Sequence, residues 1–73
     1  MSTKYSVVIE TDNGTAHFLV EGTKEAAISF AKSHYQKNYP NRVKNGYTLS
    51  GYNTETVYVM SDSYSVNYLI TSQ

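Results

Sequence analysis

The sequence predicts one small α+β domain over residues 1–73, with secondary structure in the order ββαβββ. Three observations carry this prediction: apolar residues alternate with period 2 near both ends, an Asn-Gly pair separates the first two strands, and a helical period lies between. We expect an antiparallel five-stranded sheet with one helix packed on one of its faces.

The first two strands have the clearest pattern. Apolar and polar residues alternate on both sides of Asp12-Asn13-Gly14, as in half-buried strands joined by a tight turn. Asn-Gly is favoured in two-residue turns because both central positions then need φ > 0. The alternating apolar residues are Tyr5, Val7 and Ile9 before the turn and Ala16, Phe18 and Val20 after it.

A helix is predicted from Lys24 to about Asn38. Thr23 is a suitable N-cap, Glu25 suits the first turn, and Pro40 should stop the helix because the residue before a proline avoids helical dihedrals. The expected buried stripe comprises Ala27, Phe30, Ala31 and His34, flanked by Ala26, Ile28 and Tyr35.

A polar loop through Arg42 to Gly46 and three short strands should complete the sheet. Turns are expected at residues 53–55 and 62–63. The strand residues read from the pattern are Tyr47, Leu49 and Gly51, then Val57 and Val59, then Tyr64, Val66, Tyr68 and Ile70.

The composition predicts a thin hydrophobic core. Leu, Ile, Val and Phe make up 15 of 73 residues, close to the ~20% below which chains tend to be disordered. Zero net charge and eight Tyr favour a folded chain, since Tyr buries a large ring. With no Cys to form a disulfide, self-association into a homodimer is the expected source of further stability.

The second face of the sheet is also apolar. If the alternating apolar residues named above face the helix, the strand residues between them point outward. That outward set is more apolar than is usual for a sheet face exposed to water. The alternative is scattered exposure without function. The residues expected to form a protein interface there are Val8, His17, Leu19, Tyr52, Tyr58, Met60 and Leu69.

The charges are segregated along the chain. Residues 22–46 hold five basic residues and one acidic residue, and the rest holds one basic residue and five acidic ones. Weak nucleic-acid binding through the basic segment 32–44 is therefore the alternative function, although lysines near a helix end also occur without a partner. The candidate contacts are Lys32, Tyr35, Lys37, Tyr39, Arg42 and Lys44.

Catalytic and targeting signals are weak. His17 and His34 are the only imidazoles, and no nucleophile, metal-ligand or phosphate-loop motif occurs. We therefore expect no enzyme activity, cofactor or metal. Residues 1–4 lack an apolar leader, no window resembles a membrane span, and the absence of Cys fits a cytoplasmic protein.

These observations favour a small non-enzymatic protein-binding module that uses its sheet face or an edge strand. The size and composition are typical of accessory proteins of phages or mobile elements, which commonly occlude a host protein or defence complex. An inhibitory role of that kind is the expected function.

Overall fold

The computed structural model describes residues 4–72 and confirms the predicted α+β fold. Residues 1–3 and 73, which the domain prediction included, lie outside the described part. No helix among residues 4–72 has the length and apolar character needed to cross a membrane. The elements are β1 (Lys4–Thr11), β2 (Gly14–Glu21), α1 (Lys24–Asn38), α2 (Pro40–Lys44), β3 (Ser50–Asn53), β4 (Tyr58–Ser61) and β5 (Asn67–Ser72).

The five strands form one antiparallel sheet in the spatial order β2-β1-β5-β4-β3. The strand that comes last along the described chain, β5, therefore lies at the centre of the sheet. The edges are unequal, because β2 has eight residues and β3 has four.

The turn of the first hairpin lies one residue earlier than the predicted Asn13-Gly14: Thr11 is paired to Gly14, so Asp12 and Asn13 are the two central residues. Its type differs from the prediction: Gly14 has a φ of 131°, whereas Asp12 and Asn13 have no positive φ. The Thr11 hydroxyl accepts a hydrogen bond from the Asn13 N–H at 3.2 Å. This side-chain hydrogen bond stabilises the turn. The positive φ occurs at Gly14, where the absence of a Cβ atom makes it sterically acceptable.

Helix α1 has the predicted bounds. The Thr23 hydroxyl accepts the Ala26 N–H at 3.2 Å, so Thr23 is the N-cap. Its buried residues are Ala27, Ala31 and Tyr35, which lie four residues apart on one face. Tyr35 is thus a member of the buried stripe and not of its flank, where the sequence pattern places it.

The predicted loop through Arg42 to Gly46 is wrong over residues 42–44, because residues 40–44 form the short helix α2. Proline is well tolerated at the first helical position, where its missing N–H costs nothing. The later strands also begin further along than predicted, β3 at Ser50 and β5 at Asn67.

One hydrophobic cluster fills the space between α1 and the sheet. It combines Ala27, Ala31 and Tyr35 of the helix with side chains from the three central strands and the segment before β5. The buried members are Val7, Ile9, Ala27, Ala31, Tyr35, Met60, Val66, Tyr68 and Ile70.

Candidate functional site

The sheet face away from the helix carries one row of mostly apolar residues that crosses all five strands. The register pairs His17 with Val8, Val8 with Leu69, Leu69 with Val59, and Val59 with Tyr52. Paired residues lie side by side on the same face. We call these five residues the outward row; at the usual strand spacing it is about 19 Å long.

A polar row runs parallel to the outward row on the side of the first turn. It contains Thr15, Glu10, Asn67, Ser61 and Ser50, which are also paired strand by strand. We call this set the polar row. An apolar centre with a polar border is the usual anatomy of a protein interface.

The ends of the outward row are the most exposed. Tyr52 is 56% exposed, whereas Val59 between its neighbours is only 7% exposed. Leu19, on the other side of the row from the polar row, is 58% exposed. Near the β2 end, the Ser6 hydroxyl and His17 Nε2 are hydrogen-bonded at 2.5 Å, which orients the imidazole.

Two of the predicted interface residues face the helix instead. The register pairs Met60 with Tyr68 and Tyr58 with Ile70, both core residues. Met60 is 1% exposed, and Tyr58 packs against the core. Their assignment to the outward face was wrong, and Val59 occupies that face in their place. The other five predicted interface residues, Val8, His17, Leu19, Tyr52 and Leu69, lie on the outward face.

The predicted nucleic-acid contacts are divided by a buried carboxylate. Asp62 accepts hydrogen bonds from the Tyr35 hydroxyl at 2.8 Å and from Arg42 Nη1 at 3.2 Å. The backbone N–H groups of Tyr64 and Val66 also donate to it. Burial alone would raise the pKa of the Asp62 carboxyl, but these four hydrogen bonds lower it below its ordinary value.

The structure therefore corrects the prediction that Tyr35 and Arg42 contact nucleic acid, because both side chains donate to Asp62. Tyr35 is 2% exposed, so its ring has no free face for a base; burial and then Asp62 raise the pKa of its hydroxyl to about 12. The Arg42 guanidinium lies 5.2 Å from the Tyr39 ring centre and 4.6 Å from that of Tyr64. Asp62 and the two rings hold the guanidinium in place, although 27% of the Arg42 side chain is exposed.

The remaining members of that set are Tyr39 and three lysines. Tyr39 is half-buried and its ring stacks on Tyr35 at 5.4 Å. Lys32, Lys37 and Lys44 are exposed on α1 and α2. Three lysines on two helices make a small basic surface, and the two tyrosines predicted to stack with bases, Tyr35 and Tyr39, are buried and half-buried.

A second polar contact joins α1 to the sheet. His34 Nδ1 and the Tyr68 hydroxyl are hydrogen-bonded at 2.8 Å, and the His34 ring also contacts Phe18 and Phe30. Burial, and secondarily the charge of Lys37, lowers the pKa of His34 below its ordinary value of 6.5. Within residues 4–72 no three acidic or histidine side chains are grouped as metal ligands.

No family model matches the chain, and no curated protein or solved structure matches it either.

Proposed function

We propose that this chain is a non-enzymatic protein-binding module whose outward row contacts a partner protein. The observation that carries the proposal is the register: five residues from five strands form one row with a polar border, and His17 and Tyr52 at its two ends are exposed. Exposed apolar patches that are bordered by polar residues are typical of interaction sites.

The partner has a definable chemistry. Its surface presents an apolar ridge that lies along the outward row and a basic rim beside Glu10 and Asp12, which border the row at the first turn. Glu21, at the other end of β2, is 3.9 Å from Lys4 and is already partly neutralised. A row that spans the whole sheet covers a strip of the surface it binds, so the effect we propose is occlusion of the partner's surface, consistent with an inhibitory or regulatory role.

Nucleic-acid binding is not the function we favour. Of the six candidate contacts, Tyr35 is buried and Arg42 is paired with Asp62. Three lysine–phosphate contacts would give a salt slope of only about −3, which corresponds to weak binding.

Site-specific photo-crosslinking in cells of the source organism tests the proposal. The photoreactive residue p-benzoylphenylalanine replaces Tyr52, which is in the row and 56% exposed, or Tyr64, which is outside it and 66% exposed. We expect one protein to be crosslinked from position 52 and not from position 64. Equal crosslinking from both positions, or none from position 52, would contradict the proposal.

Affinity measurements with the purified partner complete the test. Truncation of an interface anchor commonly costs more than about 1 kcal/mol, so Tyr52→Ser should raise Kd by about tenfold or more. The matched control Tyr64→Ser should change Kd by less than about twofold. A Tyr52→Ser protein that is folded and binds like the wild type would refute the outward row as the site.

A further inference from the structure

The edge strand β2 has no neighbouring strand on its outer side and lacks the features that usually prevent edge pairing. Its eight residues, Gly14–Glu21, pair with β1 without interruption, so no bulge turns the edge away. It contains no Lys and no Pro, and every residue except Val20 is exposed. Proteins usually protect such edges with short strands, lysines, prolines or bulges, because an open edge pairs with another strand. The opposite edge, β3, has only four residues.

The free backbone groups of β2 can be assigned from the register. The tight turn makes Thr11 and Gly14 a hydrogen-bonded pair, and pairs in an antiparallel ladder alternate between bonded and non-bonded. Residues 16, 18 and 20 therefore bond to β1. The N–H and C=O groups of Thr15, His17, Leu19 and Glu21 point away from the sheet.

We propose that two copies of this chain form a symmetric dimer by antiparallel pairing of β2 with β2 of the partner subunit, with the two-fold axis at Phe18. In this register Thr15 lies opposite Glu21 of the partner subunit, and His17 lies opposite Leu19 of the partner subunit. All four bonded pairs use outward-pointing groups, which gives about eight hydrogen bonds. The two sheets become one sheet of ten strands.

The side chains of β2 suit pairing with an identical strand. Phe18 is 40% exposed and Leu19 is 58% exposed, on opposite faces of the strand, so one pairing covers both. The two Phe18 rings lie at the axis in a non-bonded pair, where side chains approach most closely. Glu21, the one charged residue of β2, meets the neutral Thr15.

Neighbouring registers are less favourable. Moving the axis to His17 or Leu19 keeps the faces matched but leaves about six hydrogen bonds in place of about eight. An axis at His17 also places two imidazoles opposite each other. The strand is therefore most self-complementary about Phe18, which identifies a second copy as its occupant.

This dimer is independent of the proposed function. The outward row and the β3 edge stay open in it, so the dimer has two rows available to partners. An edge contact of this length lies at or below the lower end of stable interfaces, so we expect Kd in the range of about 1–100 μM.

Sedimentation over a range of protein concentrations tests the proposal. Leu19→Pro removes one outward N–H and no bond to β1, and proline is tolerated on edge strands at such positions. We expect it to raise the dimer Kd more than about tenfold. The control Leu19→Ala keeps the N–H and loses only the side chain, so it should raise Kd less than Leu19→Pro does. Circular dichroism verifies that both variants fold.

A measurement on the wild type removes any dependence on folding of a variant. The amide protons of His17 and Leu19 should exchange more slowly as the protein concentration rises through the dimer Kd. A wild-type chain that stays monomeric at 1 mM (about tenfold above the expected range) would overturn the proposal. A dimer that survives Leu19→Pro but is lost in Tyr52→Ser would also overturn it, because that dimer would use the outward row.

Discussion

The Arg42 guanidinium lies 3.2 Å from the Asp62 carboxylate and joins α2 to the connection between β4 and β5. The Asp62 side chain is fully buried, and that of Arg42 is 27% exposed. Because Tyr35 of α1 also donates to this carboxylate, one acidic group holds both helices against the sheet. Removal of its charge should therefore loosen the domain at two places.

Asp62→Asn should lower the free energy of unfolding by about 2–4 kcal/mol, since Arg42 would lose its buried partner. Urea denaturation monitored by circular dichroism measures this effect. Asp12→Asn is the matched control, because Asp12 is exposed in the first turn, and it should change stability by less than about 0.5 kcal/mol. Equal midpoints for the two variants would show that the Asp62 contacts contribute little.

Stability should fall as the pH is lowered through about 6.5. The pKa of His34 is lowered in the folded chain, so below its ordinary value the unfolded state takes up the proton first. A second loss is expected below the ordinary pKa of 3.8 for Asp62, because the lowered pKa in the folded state favours the carboxylate.

Unfolding free energies measured from pH 8 to pH 2, spanning both ordinary pKa values, separate these two effects. His34→Gln should remove the decline that begins near pH 6.5 and retain the acid limb, and Asp62→Asn should do the reverse. If His34→Gln keeps the decline near pH 6.5, its cause is a different group.

Gly51→Ala should destabilise the domain by about 1–3 kcal/mol, because the added methyl would fall on the Tyr58 ring. Tyr58 has little freedom to move: it packs against the core, and Lys24 Nζ lies 4.5 Å from its ring centre. A double-mutant cycle with Tyr58→Leu tests this cause. The cost of Gly51→Ala should shrink when the ring is absent, and an unchanged cost would point to the backbone.

Thr23→Ala should cost about 1 kcal/mol of stability, because the Ala26 N–H would lose its side-chain acceptor at the start of α1. Thr23→Ser keeps the hydroxyl and serves as the control. Thermal unfolding of the two variants should differ by several degrees for a domain of this size. If both variants match the wild type, the cap contributes nothing measurable.

The fold class and most elements follow from the sequence because their patterns are local. The first hairpin alternates cleanly, and α1 has both a cap and a stop at Pro40. Strand β4 differs, because residues 57–60 are apolar at every position. Without alternation, the sequence does not show which of these side chains face the helix and which face outward. Only pairing with β5 sets its register, so the sequence could not place Tyr58 and Met60.

The candidate site was predictable only in part for a related reason. Five of the seven expected interface residues lie on the outward face, since four of them belong to strands with a marked alternation. Asp62 looked like an ordinary turn residue, and nothing local indicates that it is buried. Its contacts with Tyr35 and Arg42 span 27 and 20 residues of chain, and such distant partners leave no periodic signal.

The position of β5 has a consequence for how the domain assembles. The hairpin of β1 and β2 and the pair of β3 and β4 share no direct strand contact, and each is joined to β5. A chain that ends before residue 67 would thus hold two half-sheets with an empty slot between them. The sheet therefore cannot be completed during synthesis until residues 67–72 have left the ribosome, because β1 and β4 both pair with that strand.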